Sequence, residues 1–120
     1  MYVAVLSSDK NRAERLGDTI LDVCLSNGCY STFLSFTADE SFLKELEQKE
    51  FSTVVLSAEG DSHIELAKDI FKRRPEIKLI LLGSDRDAVE GYALGAHYCA
   101  GHQPEEEDFK RIADIIFYMA

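Results

Sequence analysis

Apolar residues in this chain follow two alternating rhythms. Tyr2 to Leu6 (YVAVL) is a near-continuous apolar run of strand length, and after it Ala13, Leu16, Ile20 and Cys24 recur at helical spacing until Asn27-Gly28 supplies a stop. The same switch repeats four times. Tyr30 to Phe36 reads as a strand, and Thr37-Ala38-Asp39-Glu40 has the spacing of a capping box before a helix that turns Phe42, Leu43 and Leu46 inward. Phe51 to Leu56 restarts a strand. Ser62 to Glu65 repeats the box, Ile64, Ala67 and Phe71 form a helical face, and Pro75 ends that helix ahead of the strand Ile77 to Leu82. Ser84 caps a fourth helix with Ala88, Val89 and Tyr92 toward the core, closed by Gly95. His97 to Ala100 is a short fifth strand, and Pro104 opens a last helix carrying Phe109, Ile112, Ile116 and Met119.

Five apolar strands alternating with five amphipathic helices predict a doubly wound α/β fold, a parallel five-stranded sheet in a (βα)5 sandwich, because parallel strands need helical crossovers that cover both faces. In such sheets the working crevice lies beyond the carboxyl ends of the strands. Those ends are Ser7 and Ser8, then Ser57, then Gly83 and Ser84, then Gly101 to Gln103. This rim reads as almost uncharged.

At 120 residues the chain is one domain, with 46% hydrophobic and 29% charged residues. Its apolar runs are strand-sized, so no membrane span is expected. With 22 acidic against 13 basic residues, a formal net charge of −9, it is a poor candidate for direct nucleic-acid contact, which rests on neutralising phosphates. Three cysteines (Cys24, Cys29 and Cys99) cannot close a disulfide framework and, with no export signal, read as thiols of a cytoplasmic protein.

The order of elements, the length and the segment HIELAKDIFKRRPEIKLILLGSDRDAVEGYALGAHYCAG resemble the receiver domain of bacterial two-component response regulators, the CheY-like, flavodoxin-like fold. IELAKDI, RRPEIKLILL and AVEGYALGA are the most family-like stretches, and the likeness is greatest to receivers that precede LytTR-type DNA-binding domains. Receivers phosphorylate themselves on an aspartate, which needs a Mg²⁺ held by neighbouring acids, a hydroxyl donor and a lysine. The resemblance sets the acidic pair on Ser7 and Ser8 and the phosphoacceptor on Ser57. It sets the hydroxyl on Gly83, with Ser84 one place late, and the lysine on His102, or on Gln103 if Pro104 marks the register. All five depart from the pattern. Serine hydroxyls bring no formal charge to a hard cation that favours carboxylates, so neither metal nor cofactor is expected.

Nearby acids Asp9, Glu59 and Asp61 read as solvated loop residues or helix caps. Ser57 with His102 lacks the strained elbow and the third, orienting group of a nucleophile and base. Cys24 and Cys29 have no further ligands to complete a zinc site and read as core and turn packing. His63 reads as a solvated surface residue, and Glu105 to Asp108 as the favourable acidic first turn of the last helix. No glycine-rich phosphate loop is present.

The sequence therefore predicts a degenerate receiver, without catalytic residues, that acts in signal transduction or transcription regulation through protein contacts or through a tethered output domain. It would be either stand-alone or the N-terminal part of a longer regulator. The resemblance places the contact face on the fourth helix, fifth strand and fifth helix. Tyr92, Phe117, Tyr118 and Met119 are the candidate anchors of a homodimer. The alternative reading is a small-ligand-binding flavodoxin-like domain that uses the serine-lined crevice.

Overall fold

The computed structural model describes residues 2–57 and 62–118, without the side chains of Ser62 and Tyr118. Strands β1 (Tyr2–Leu6), β2 (Thr32–Phe36), β3 (Phe51–Ser57), β4 (Lys78–Leu82) and β5 (Tyr98–Ala100) alternate with helices α1 (Lys10–Ser26), α2 (Asp39–Gln48), α3 (Ser62–Arg73), α4 (Asp85–Leu94) and α5 (Glu106–Tyr118). The strands form one parallel sheet in the order β2-β1-β3-β4-β5. This is the doubly wound α/β fold that the alternating pattern predicts, with the switch in strand order at β1 and β3.

Strand periodicity sorts the core into two layers. Val3, Val5, Val55, Ile80 and Leu82 pack against Leu16, Ile20 and Cys24 of α1 and Ile112, Ala113 and Ile116 of α5. The alternate residues Ala4, Leu6, Val54, Leu56, Leu79 and Leu81 face Phe42 and Leu46 of α2 and Leu66, Ala67 and Ile70 of α3. The central strands are buried on both faces, which is why they read as continuous apolar runs rather than alternating ones. The inward stripes predicted for α1 and α2 are confirmed, with Leu43 half-buried. In α5, Ile112 and Ile116 are buried and Phe109 is half-buried.

Several local expectations are corrected. On α4, Val89 and Tyr92 are 72% and 52% exposed, and Gly91 is the buried residue. A Cβ at Gly91 would stand 2.8 Å from Leu81 Cδ2 and 3.1 Å from Cys99 Sγ, so the glycine lets α4 approach the sheet closely and turns the larger side chains outward. His63 is buried, not solvated, because positions 63, 66, 67 and 70 share one helical stripe and the last three face the core. The box predicted at Thr37 does not form. Ala38 occupies the cap position of α2 and contributes no side-chain bond. β2 begins at Thr32, leaving Tyr30 80% exposed, and α5 begins at Glu106 rather than Pro104. The box predicted from Ser62 and the placement of Met119 lie outside the described residues.

Candidate functional site

The crevice above β1, β3, β4 and β5 is built from strand ends and the first turns of the helices that follow. Ser7 leaves β1 with its N–H donated to the Phe36 carbonyl (3.1 Å), and its hydroxyl accepts from the Asp9 N–H (3.2 Å). Ser8 is exposed beside it. Asp9 is the N-cap of α1, its carboxylate accepting from the N–H groups of Asn11 (3.0 Å) and Arg12 (3.3 Å). That use satisfies helix-end donors and matches the capping role read from the sequence. Glu59 and Asp61 lie outside the described residues.

One group was missed by the sequence reading. Arg12, in the first turn of α1, donates from Nε to Ser57 Oγ at 2.9 Å and from Nη2 to the His102 carbonyl. The rim is therefore not uncharged: a guanidinium spans it, joining the end of β3 to the loop after β5. A cation in a first helical turn works against the helix dipole. The first turn of α1 contains no acidic residue to offset it, and Lys10 precedes it. That oddity was the available signal. The partners themselves lie 45 and 90 residues away along the chain, beyond any local spacing rule.

Ser57 is fully buried and Ser7 is 3% exposed, so the floor of the crevice is closed beneath Arg12. Gly83 is buried and donates to the Ala100 carbonyl (2.9 Å). Ser84 faces away into a reciprocal cap: Asp87 N–H donates to Ser84 Oγ (3.2 Å), while the Ser84 N–H and hydroxyl both donate to Asp87 Oδ2 (2.9 Å each). His102 and Gln103 are exposed, and His102 meets the crevice through its backbone carbonyl. Ser57 is thus held by a cation rather than by an imidazole. Through Arg12 the structure brings together Ser57 and the His102 backbone; Ser7 follows the neighbouring strand β1, and the Ser84 hydroxyl is turned to Asp87.

This donor set does not fit a hard divalent cation. Among the described residues the crevice offers hydroxyls and carbonyls, the Asp9 carboxylate is committed to the α1 cap, and the guanidinium that crosses the site opposes a second cation. Among the described residues no cluster of three metal-ligating side chains occurs.

Beyond β4, further polar groups flank the crevice. The Tyr98 hydroxyl donates to Asp108 Oδ1 (2.5 Å), and Asp108 Oδ2 accepts from the Glu105 N–H (2.8 Å), which caps α5. The bond to Asp108, aided by burial, pushes Tyr98 up to about 12, and the same bond, with that from Glu105, lowers Asp108. Tyr92 reaches over the sheet edge, its hydroxyl oxygen accepting from the Cys99 N–H (3.0 Å). That covers a donor that an edge strand would otherwise present to another chain. At the opposite end of the sheet Lys78 is 7% exposed, and among the described residues its Nζ has no hydrogen-bond partner. Burial lowers its pKa, and burial followed by the Lys78 charge lowers that of His97.

No protein-family model and no curated protein matches the chain. Solved structures do. The response regulator DrrB of Thermotoga maritima superposes with a TM-score of 0.76 at 21% identity over 98% of this chain and 52% of that one. The beryllofluoride-activated NtrC4 receiver-domain dimer gives 0.77 at 20% identity, covering 98% and 96%. An orphan response regulator of H. pylori gives 0.75 at 14% identity, covering 99% and 95%. At such identities the likeness shows the fold.

Proposed function

We propose that this chain is a degenerate receiver domain that acts in signalling through protein contacts, without aspartyl phosphorylation. The observation that carries the reading is Arg12. In the receiver pattern Ser57 stands at the phosphoacceptor position, flanked by acids at Ser7 and Ser8 and approached by a lysine from the loop after β5. Here the nucleophile and both acids are replaced by serine, and the cation comes from α1 and is already bonded to Ser57. A permanent guanidinium in the crevice takes the place of a reversible phosphoryl group and its metal. The domain works as a fixed contact module in the cytoplasm, neither enzyme nor metal binder. The small-ligand alternative is disfavoured by the closed floor at Ser7 and Ser57.

Without a switch to expose a face on demand, contacts are constitutive and tuned by concentration. The exposed Tyr92 and Phe117 (52% and 44%) support α4, β5 and α5 as the face, and the NtrC4 receiver domain is itself a dimer. The Tyr118 side chain and Met119 lie outside the described residues. The decisive experiment is incubation with acetyl phosphate and Mg²⁺ followed by intact mass. The mass stays unchanged, and Ser57→Asp also stays unlabelled, because Arg12 pairs with the new carboxylate and no acids hold the metal. A stoichiometric, hydroxylamine-labile adduct on either protein overturns the reading. Sedimentation velocity over a wide concentration range tests self-association. A monomer throughout leaves docking to a different protein or to an output domain.

A further inference from the structure

Helix α1 ends in a backbone pattern that sets two cysteines side by side. Asn27 closes the helix and Gly28 takes the left-handed conformation, with φ 75°. The Cys29 N–H then donates to the Cys24 carbonyl (2.8 Å), and the Gly28 N–H to the Leu25 carbonyl (3.1 Å). This pair of bonds is a Schellman motif, which folds the residue after the glycine onto the residue five positions earlier. That contact is usually between apolar side chains; here it joins two thiols. Both are free and buried, at 0% and 7% exposure, and they belong to the same core cluster beneath α1. Cys99 sits apart, on β5 against Ala88 of α4.

We infer that Cys24 and Cys29 form a reversible disulfide, a modification site at the α1–β2 corner that responds to thiol–disulfide exchange with low-molecular-weight disulfides of the glutathione type. Closing the sulfurs to the bond length of about 2.05 Å calls for side-chain rotation on a backbone already pinned by the cap. Cys29, the less buried of the two, attacks as thiolate on one sulfur of the small disulfide. That S–S bond breaks and releases one small thiolate, which takes a proton from water. The Cys24 sulfur then displaces the second small thiol from Cys29 and gives its own proton to solvent. The two protein thiols lose two electrons and the small disulfide is reduced to two thiols.

Access comes from the cap itself. Residues 25 to 28 and Tyr30 are exposed, and a last helical turn opens at low cost. Burial, followed by the neighbouring Cys29 thiol, pushes Cys24 up to about 12, so Cys24 is not the first nucleophile. The closed ring is short, so its stabilising effect is modest, and its main consequence is to lock the C-cap of α1 to the approach of β2.

The test uses the full chain, reduced and then incubated with oxidised glutathione. The expected product has lost two hydrogens in mass, and proteolysis places the bond between Cys24 and Cys29. Dithiothreitol reverses it, and the oxidised form unfolds a few degrees higher. Cys99→Ser still forms the product. Cys29→Ser, checked for native circular dichroism, does not. Persistence of a glutathione adduct on Cys29 without ring closure overturns the inference, as does modification of Cys99 while Cys24 and Cys29 stay reduced.

Discussion

The two halves of the crevice rim are held by different physics. On the β1 and β3 side, a charged side chain crosses from α1 to Ser57 and to the loop after β5, linking segments 45 and 90 residues apart. On the β4 and β5 side, the bonds are local: Ser84 with Asp87 three residues on, Cys99 with Tyr92 seven residues back, and Tyr98 with Asp108 ten residues on. Local pairs stiffen the start of one helix or the edge of one strand. The Arg12 tie instead couples three elements, so its loss reaches further through the fold.

Arg12→Ala is accordingly the largest effect expected. It removes the donor to a fully buried hydroxyl and releases the His102 carbonyl. A hydrogen bond to a charged group contributes about 2 kcal/mol, and a buried oxygen left unpaired adds to the loss. Urea unfolding measures it. Arg12→Lys recovers only part, since an ammonium does not present the guanidinium fork to two acceptors at once. In a double-mutant cycle with Ser57→Ala the two losses are non-additive. If Arg12→Ala costs no more than removing a local cap, the contrast between the two halves fails.

Ser84→Ala supplies that local standard. Loss of an N-cap hydroxyl costs about 1 kcal/mol, and the Asp87 reciprocal bond to the Ser84 N–H survives. The effect is confined to α4, so hydrogen exchange rises in its first turn and stays unchanged at Ser57. A change at both places breaks the separation between the halves.

The same division explains what was legible in the sequence. The order of strands and helices, and the caps at Asp9 and Ser84, depend on neighbours within four residues, and the sequence pattern carries them. Ser7 and Ser57 stand at the ends of β1 and β3 because topology alone sets strand ends at the crevice. Arg12 was not legible, since its partners are brought near only by the finished sheet. The burial of α4 was misread for a related reason. Gly91 looks like a weak core candidate beside Ala88, Val89 and Tyr92, and only the close approach of helix to sheet selects the smallest residue. Thr37 shows the reverse error, a local spacing present in the sequence that the chain does not use.

The smallest effect belongs to the Tyr98–Asp108 pair, and pH resolves it. Asp108 is held below its ordinary 3.8 chiefly by the Tyr98 hydroxyl and then by the Glu105 N–H, so its contribution is present above that value and is lost as pH falls through the depressed one. Tyr98 is raised from 10 to about 12, first by the Asp108 bond, so its contribution is complete below pH 10 and disappears as pH climbs toward 12. At neutral pH the partly exposed pair contributes less than about 1 kcal/mol after screening by solvent. Tyr98→Phe therefore unfolds slightly more easily than the parent at pH 7, and the two proteins converge below the Asp108 transition. Ultraviolet titration of the parent shows a phenolate transition near pH 12 that Tyr98→Phe lacks. Asp108→Asn moves that transition back toward 10, because the carboxylate is the largest cause of the shift. A stability difference between Tyr98→Phe and parent that stays constant into strong acid means the hydroxyl acts by packing rather than through the carboxylate, and places this half of the rim outside electrostatic control.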